Sequence, residues 1–305
     1  ALLVLAAEGA PASAPAAELR ADSQSCPRPR DPSAVHLAVI LKTTVHYEGT
    51  RLRDVLASWA RHAEALLVVA DAPLRGLPPE AGLVVVRDER ERPVVPAWKE
   101  RDPNVLDAGG RAFPVTAEGE LDAFYRSMLV RQLLAIRALR ECLPLAQAVL
   151  IADDDTFVPR ALLMGALVGR LDPSAPRLLG KPVASRMFLR GPWQAEHAGL
   201  LHCGGGSGML LTRGLLEALD AAGGPAACLR PPMPLAYYSD VNLGVCFRRL
   251  LGVQCELPPL PAEKWSCHSN GVPTALFRHP KRFGRGTPQQ GENAGFACVL
   301  HRSEL

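Results

Sequence analysis

Apolar residues along this chain fall into short uninterrupted runs that alternate with stripes of helical spacing. Val35-His-Leu-Ala-Val-Ile-Leu41, Leu66-Leu-Val-Val-Ala70, Leu83-Val-Val-Val86 and Val149-Leu-Ile151 have polar borders and are too short for buried helices. Each predicts a strand buried on both faces. Leu52, Val55, Leu56 and Trp59 repeat at i, i+3, i+4 and i+7, which predicts a helix over 50–62. Phe124, Met128, Leu129, Leu133, Ile136 and Leu139 form the stripe of a longer one over 121–142. A helix with Pro159 in its first turn follows the 149–151 strand. An apolar strand at 209–211 precedes a helix carrying Leu215 to Leu219, and Ser239 is a good N-cap for a last helix with Asp240 in its first turn. Alternation of this kind predicts an α/β fold, with a mainly parallel central sheet covered by helices on both faces. We expect one domain over 34–300. Residues 88–120 are interrupted by Pro93, Pro96, Pro103 and Pro114 and read as irregular; residues 1–33, rich in Ala, Pro and Ser, read as a flexible stem.

Composition narrows the function classes. Hydrophobic residues make up 48% of the 305, which is ordinary for a globular core. A net charge of +3, with no block of Lys or Arg, gives no footprint for nucleic acid, so none is expected as a partner. The eight cysteines include no C-x-x-C pair, against a zinc ribbon or a thioredoxin-type site. They fit a reduced cytosolic protein or a few lumenal disulfides equally well. Ala1-Leu-Leu-Val-Leu-Ala-Ala7 is too short to span a bilayer; it reads as the tail of a signal or anchor segment, or as an Ala-rich accident.

The chemistry concentrates at the end of the 149–151 strand, in Asp153-Asp-Asp155. Three adjacent carboxylates repel one another, and a hard divalent cation with oxygen ligands is the usual compensation. Residues two apart on extended chain point the same way, so Asp153 and Asp155 are placed to face one ion while Asp154 turns toward the fold. A solvated acidic turn is the plain alternative. Lys42-Thr-Thr44 closes another strand, where open α/β sheets bind ligands. Cys203-Gly-Gly-Gly-Ser-Gly208 allows either close approach of backbone to a ligand or merely a tight turn. Neither G-x-x-x-x-G-K-[ST] nor G-x-G-x-x-G occurs, which excludes those nucleotide loops. Asp240 is a candidate acid or a helix cap, and His268, in a Pro-rich loop, a candidate ligand or a surface residue.

In order, V-I-L-K-T-T at 39–44, R-L-x-x-V-L-x-S-W at 51–59, A-D-D-D-T-F-V at 152–158 and G-K-P at 180–182 resemble the Fringe-type branch of the inverting β-1,3-glycosyltransferases. C-G-G-G-S-G at 203–208, Y-S-D-V-N-L-G at 238–244 and L-L-G-V at 250–253 extend the resemblance, which also reaches plant proteins with a Fringe-like domain. It implies a GT-A fold, a Rossmann-like sheet that binds a UDP-sugar donor with Mn²⁺, and a glycan or glycoprotein acceptor. It implies that Lys42, Thr43 and Thr44 lie near the uridine and that Asp153, Asp154 and Asp155 hold metal and diphosphate. His268 would complete the metal's ligands, Gly204, Gly205, Gly206 and Gly208 would line the sugar pocket, and Asp240 would be the general base. Many relatives carry two acids where this chain has Ser239-Asp240. The resemblance further implies a Cys228–Cys246 disulfide and a Golgi or endoplasmic reticulum lumen location behind a type II anchor. Cys203 is expected to be a small buried apolar residue or paired elsewhere. Two other readings remain: a catalytically silent carbohydrate-binding relative, and a D-x-D phosphatase, which prefers Thr or Val where Phe157 stands.

Overall fold

A computed structural model describes residues 21–86, 118–158, 170–185, 195–229, 239–258 and 267–268. Its strands are β1 (Ser23–Ser25), β2 (Leu37–Lys42), β3 (Ala65–Ala70), β4 (Gly82–Val85), β5 (Ala148–Asp153) and β6 (Thr156–Phe157). They continue with β7 (Leu178–Gly180), β8 (Pro182–Ala184), β9 (Leu201–Cys203), β10 (Met209–Thr212), β11 (Cys255–Glu256) and β12 (Cys267–His268). The helices are α1 (Arg53–Ala57), α2 (Glu118–Cys142), α3 (Arg213–Ala221) and α4 (Ser239–Leu251).

Eight strands form one sheet in the order β1-β4-β3-β2-β5-β10-β7-β11. Only β1 and β10 run against the other six. The central strands β2 and β3 are buried at every position, as their unbroken apolar runs require when both faces are covered. On one face Ala38, Ile40, Leu67, Val69, Val149 and Ile151 pack with Leu133, Ile136 and Leu139 of α2, Leu215 and Leu219 of α3, and Phe247 of α4. On the other, Leu37, Val39, Leu41, Leu66, Val68 and Leu150 pack with Leu52, Val55 and Trp59. The α/β architecture with helices on both faces is therefore present as expected.

Four expectations are corrected. The continuous helix over 50–62 is broken: a wide turn at Glu48–Leu52 leads into the five residues of α1, and a 3₁₀ turn follows at Ala60–His62. Its apolar stripe is right, because Leu52, Val55 and Trp59 are buried. The boundary at residue 34 is too late, since β1 pairs with β4 at the sheet edge and Cys26 is bonded to Cys142 at the end of α2. Ser239 is the first residue of α4 rather than its cap. The Cys228–Cys246 disulfide is present, and Cys203 is paired with Cys255. Among the cysteines whose side chains are described none is free. Residues 118–120, expected to be irregular, are instead the first residues of α2. The rest of the 88–120 stretch, the helix beginning at Pro159 and residues 1–20 lie outside the described residues.

Candidate functional site

The sheet sets the place of the site. From β2 the chain steps outward through β3 and β4, then returns to lay β5 on the other side of β2. Two neighbouring parallel strands thus continue in opposite directions, and the crevice beyond their carboxyl ends is where such sheets bind ligands. Both ends carry the polar residues singled out above. Lys42 and Asp153 are register partners, so their side chains leave the sheet at the same level.

Lys42 is buried, and its Nζ lies 2.9 Å from Asp153 Oδ1. Burial alone would lower its pKa. The Asp153 carboxylate outweighs this, with Asp240 and Asp155 adding to it, and the ammonium is held above its ordinary range. Asp154 does turn toward the fold: it is buried, and Thr43 Oγ1 donates to its Oδ2 at 2.7 Å. Burial, then the Asp155 charge, pushes its carboxyl up to about 7, against the hydrogen bond from Thr43 and the charge of Arg51. Asp155 meets Arg51, whose Nη1 donates to Oδ2 at 3.1 Å and also stands 3.6 Å from Asp154 Oδ1. Arg51 in turn stacks on the Tyr47 ring at 4.4 Å. The carboxylates are thus partly compensated by two cations of the protein itself. Thr44 precedes the turn Val45–Tyr47, half-buried, beside the same crevice.

The turn after β5 is tied down from several sides. Thr156 Oγ1 accepts from the Asp153 N–H at 3.1 Å and donates to the Gly206 carbonyl at 2.9 Å. Trp59 Nε1 donates to the Thr156 carbonyl at 2.9 Å. The glycine stretch is a 3₁₀ turn over Gly205–Ser207, leaving through Gly208 at φ 77°, a backbone conformation that favours glycine. A Cβ on Gly205 would come within 3.3 Å of the Asp240 Cβ and Oδ2. The tight-turn reading is satisfied, and the close approach that the backbone makes here is to the Asp240 side chain.

Asp240, in the first turn of α4, accepts from the Gly205 N–H through Oδ2 at 2.7 Å and from the Val241 N–H through Oδ1 at 2.8 Å. Its side chain is 19% exposed. It is both a helix-end acid and a member of the crevice, within electrostatic reach of Lys42. β12 pairs with β6 and sets His268 opposite Thr156, one residue beyond Asp155. That backbone register brings together two segments more than a hundred residues apart; the His268 side chain lies outside the described residues.

Three neighbours were not singled out from the sequence. Arg51 opens the R-L-x-x-V-L-x-S-W stretch but has no role assigned to it there, although three carboxylates in a row are a reason to look for cations. His202 and Ser185 stand beside Asp240, with Ser185 Oγ 2.9 Å from His202 Nδ1 and His202 Nε2 4.0 Å from Asp240 Oδ2. Nothing in the local sequence marks either.

Among the described residues no trio of His, Cys, Asp or Glu forms a ready metal cage. The donor chemistry nonetheless fits a hard divalent cation, with carboxylate oxygens on one turn and negative charge in excess of Lys42 and Arg51. No protein-family model and no curated protein matches the chain. Among solved structures it is similar to the galactosyltransferase LgtC in complex with donor and acceptor sugar analogues. That match has 14% identity, covers 72% of both chains and has a TM-score of 0.39. It is also similar to an active-site mutant of LgtC, at 13% identity, the same coverage and a TM-score of 0.38.

Proposed function

We propose that this chain is a metal-dependent, inverting glycosyltransferase of the GT-A fold. It moves a hexose or N-acetylhexosamine from a UDP-sugar to a hydroxyl of a glycan or glycoprotein, in β-1,3 linkage. One observation supports this above the others. At the crevice between β2 and β5, Lys42-Thr-Thr44 meets Asp153-Asp-Asp155, and the glycine turn brings Asp240 to the same place.

Asp153 and Asp155, with His268, would hold Mn²⁺, which when bound neutralises charge on the departing diphosphate. Lys42 and Arg51 orient the two outer carboxylates, and Thr43 anchors the middle one. Asp240 takes the proton from the attacking hydroxyl, held in place by the Gly205 N–H. One displacement at the anomeric carbon inverts its configuration, and no covalent nucleophile is required. Three disulfides among the described residues support a lumenal location in the Golgi or endoplasmic reticulum.

A second reading, a carbohydrate-binding relative without turnover, is favoured by Ser239 in place of a second acid and by Asp240 already accepting two backbone N–H bonds. A panel of UDP-sugars with Mn²⁺, read as UDP release with and without glycan acceptors, separates the two. We expect release that chelator abolishes and Mn²⁺ restores, loss of activity and UDP binding in a folded Asp155→Ala, and a drop of about 10²-fold or more in Asp240→Asn with donor affinity kept. Full activity in chelator sinks the metal assignment. UDP binding without release from any donor supports the silent relative.

A further inference from the structure

Beside Asp240 the fold buries two polar side chains. Ser185 is 0% exposed and His202 2% exposed. Burying polar groups is costly unless they find partners, and an apolar pair would fill the same space at lower cost. These two are partnered. Ser185 Oγ meets His202 Nδ1 at 2.9 Å, with Val183 the register partner of His202 across β8 and β9. The other end of the ring is aimed at Asp240: Nε2 is 4.0 Å from Oδ2, the oxygen that accepts from Gly205.

Backbone packing fixes the same pair. A Cβ on Gly244 would lie 2.6 Å from His202 Cβ, so α4, one turn beyond Asp240, rests directly on β9 at His202. The histidine therefore touches the helix that carries the carboxylate and faces the carboxylate itself.

We propose that His202, oriented by Ser185, is the positioning residue of the Asp240 carboxylate: its ring holds Oδ2 against the glycine turn and shares its charge. This rests on the reading of Asp240 as the base, but the pairing itself can be measured without turnover. Burial lowers the ring's pKa and the Asp240 charge opposes that lowering, so the ring is neutral at pH 7 and responsive to Asp240. Asp240 is the charged group that faces it.

Two measurements test this. Imidazole ¹⁵N NMR across pH, on wild type and Asp240→Asn, should show the His202 ring shifted, with a lower titration midpoint in the variant. An identical ring spectrum and midpoint in the two proteins overturns the pairing. In the UDP-release assay, His202→Gln keeps a polar donor facing Asp240, whereas His202→Leu keeps only the bulk. We expect the Leu variant to lose about tenfold to 10²-fold in kcat with an unchanged KM for the UDP-sugar, as for a reacting group misplaced by about 1 Å. The Gln variant should recover most of that loss. A Leu variant at least as active as the Gln variant shows that His202 only fills space, and refutes the proposal. Wild type that releases no UDP from any donor removes the transferase reading, and the NMR comparison alone then decides whether His202 holds Asp240.

Discussion

Gly244→Ala sets two magnitudes against each other. In an exposed helix interior, Ala in place of Gly stabilises by about 1 kcal/mol, because glycine has the greater backbone freedom to lose. Here the new Cβ would meet His202 Cβ at 2.6 Å and His202 Cα at 3.2 Å. Carbon atoms pack at about 3.5–4.0 Å, so the helix must retreat from β9 by roughly 1 Å. No rotamer change relieves a contact with a strand's Cα and Cβ. Retreat is resisted by the Cys228–Cys246 bond and by the fully buried Phe247 on the same helix. Overpacking of this kind costs about 1–3 kcal/mol, which exceeds the propensity gain. The net expectation is a loss on the order of 1 kcal/mol in urea unfolding. The shift also moves Asp240, one turn upstream, so kcat for sugar transfer should fall by more than the stability change implies. Gly49→Ala is the control, since nothing stands within 4 Å of its added Cβ. It should be neutral or stabilising. If Gly244→Ala is the more stable protein by about 1 kcal/mol, α4 does not rest on β9 as described, and the account of how Asp240 is seated is wrong.

Chain-entropy estimates rank the disulfides by loop size, with separations of 116, 52 and 18 residues giving about 5, 4 and 3 kcal/mol for Cys26–Cys142, Cys203–Cys255 and Cys228–Cys246. Paired Cys→Ala variants in urea unfolding should follow that order, and a Cys26/Cys142 double variant as stable as wild type would remove β1 from the load-carrying fold. The His202 ring sits below its ordinary value of 6.5 because it is buried, so the unfolded chain binds its proton more readily, and this histidine makes stability fall as pH drops below about 6.5. Thermal unfolding of His202→Gln should accordingly show a shallower loss between pH 7.5 and pH 5, and an unchanged slope would exclude His202 as a source of acid sensitivity.

The strands were legible because burial on both faces leaves no polar position to confuse the pattern, as in β2, β3 and β5. β1 was not legible: Ser23-Gln-Ser25 is exposed and has no strand-like composition. It stays at the sheet edge through pairing with β4 and a disulfide whose partner is 116 residues away, and spacing cannot reveal such a partner. The carboxylate turn and the lysine before it were legible as chemistry that needs a reason. Their cationic neighbour Arg51 and the buried His202 were not, because each owes its role to a contact across the fold. The break in the 50–62 helix follows the same logic. An apolar stripe tells which residues face the core, not whether the backbone between them keeps one hydrogen-bond register, and here Ser58 Oγ takes the Asp54 carbonyl at the end of α1.

Charge at the crevice gives the metal reading a physical basis beyond the D-x-D spacing. Asp153, Asp154, Asp155 and Asp240 stand against Lys42 and Arg51, which leaves a formal excess of two negative charges if every acid is ionised. Within the protein alone a proton on Asp154, whose pKa is pushed up to about 7, relieves one of the two charges and leaves the other. A nucleotide diphosphate would bring further negative charge to the same place. Neither Lys42 nor Arg51 can neutralise it while each is engaged with Asp153 or Asp155. A donor that arrives with a divalent cation brings its own compensation, and its binding should therefore depend steeply on that cation. On this reading Lys42 and Arg51 keep the outer carboxylates oriented and soluble in the crevice, and the cation makes the crevice able to accept an anion.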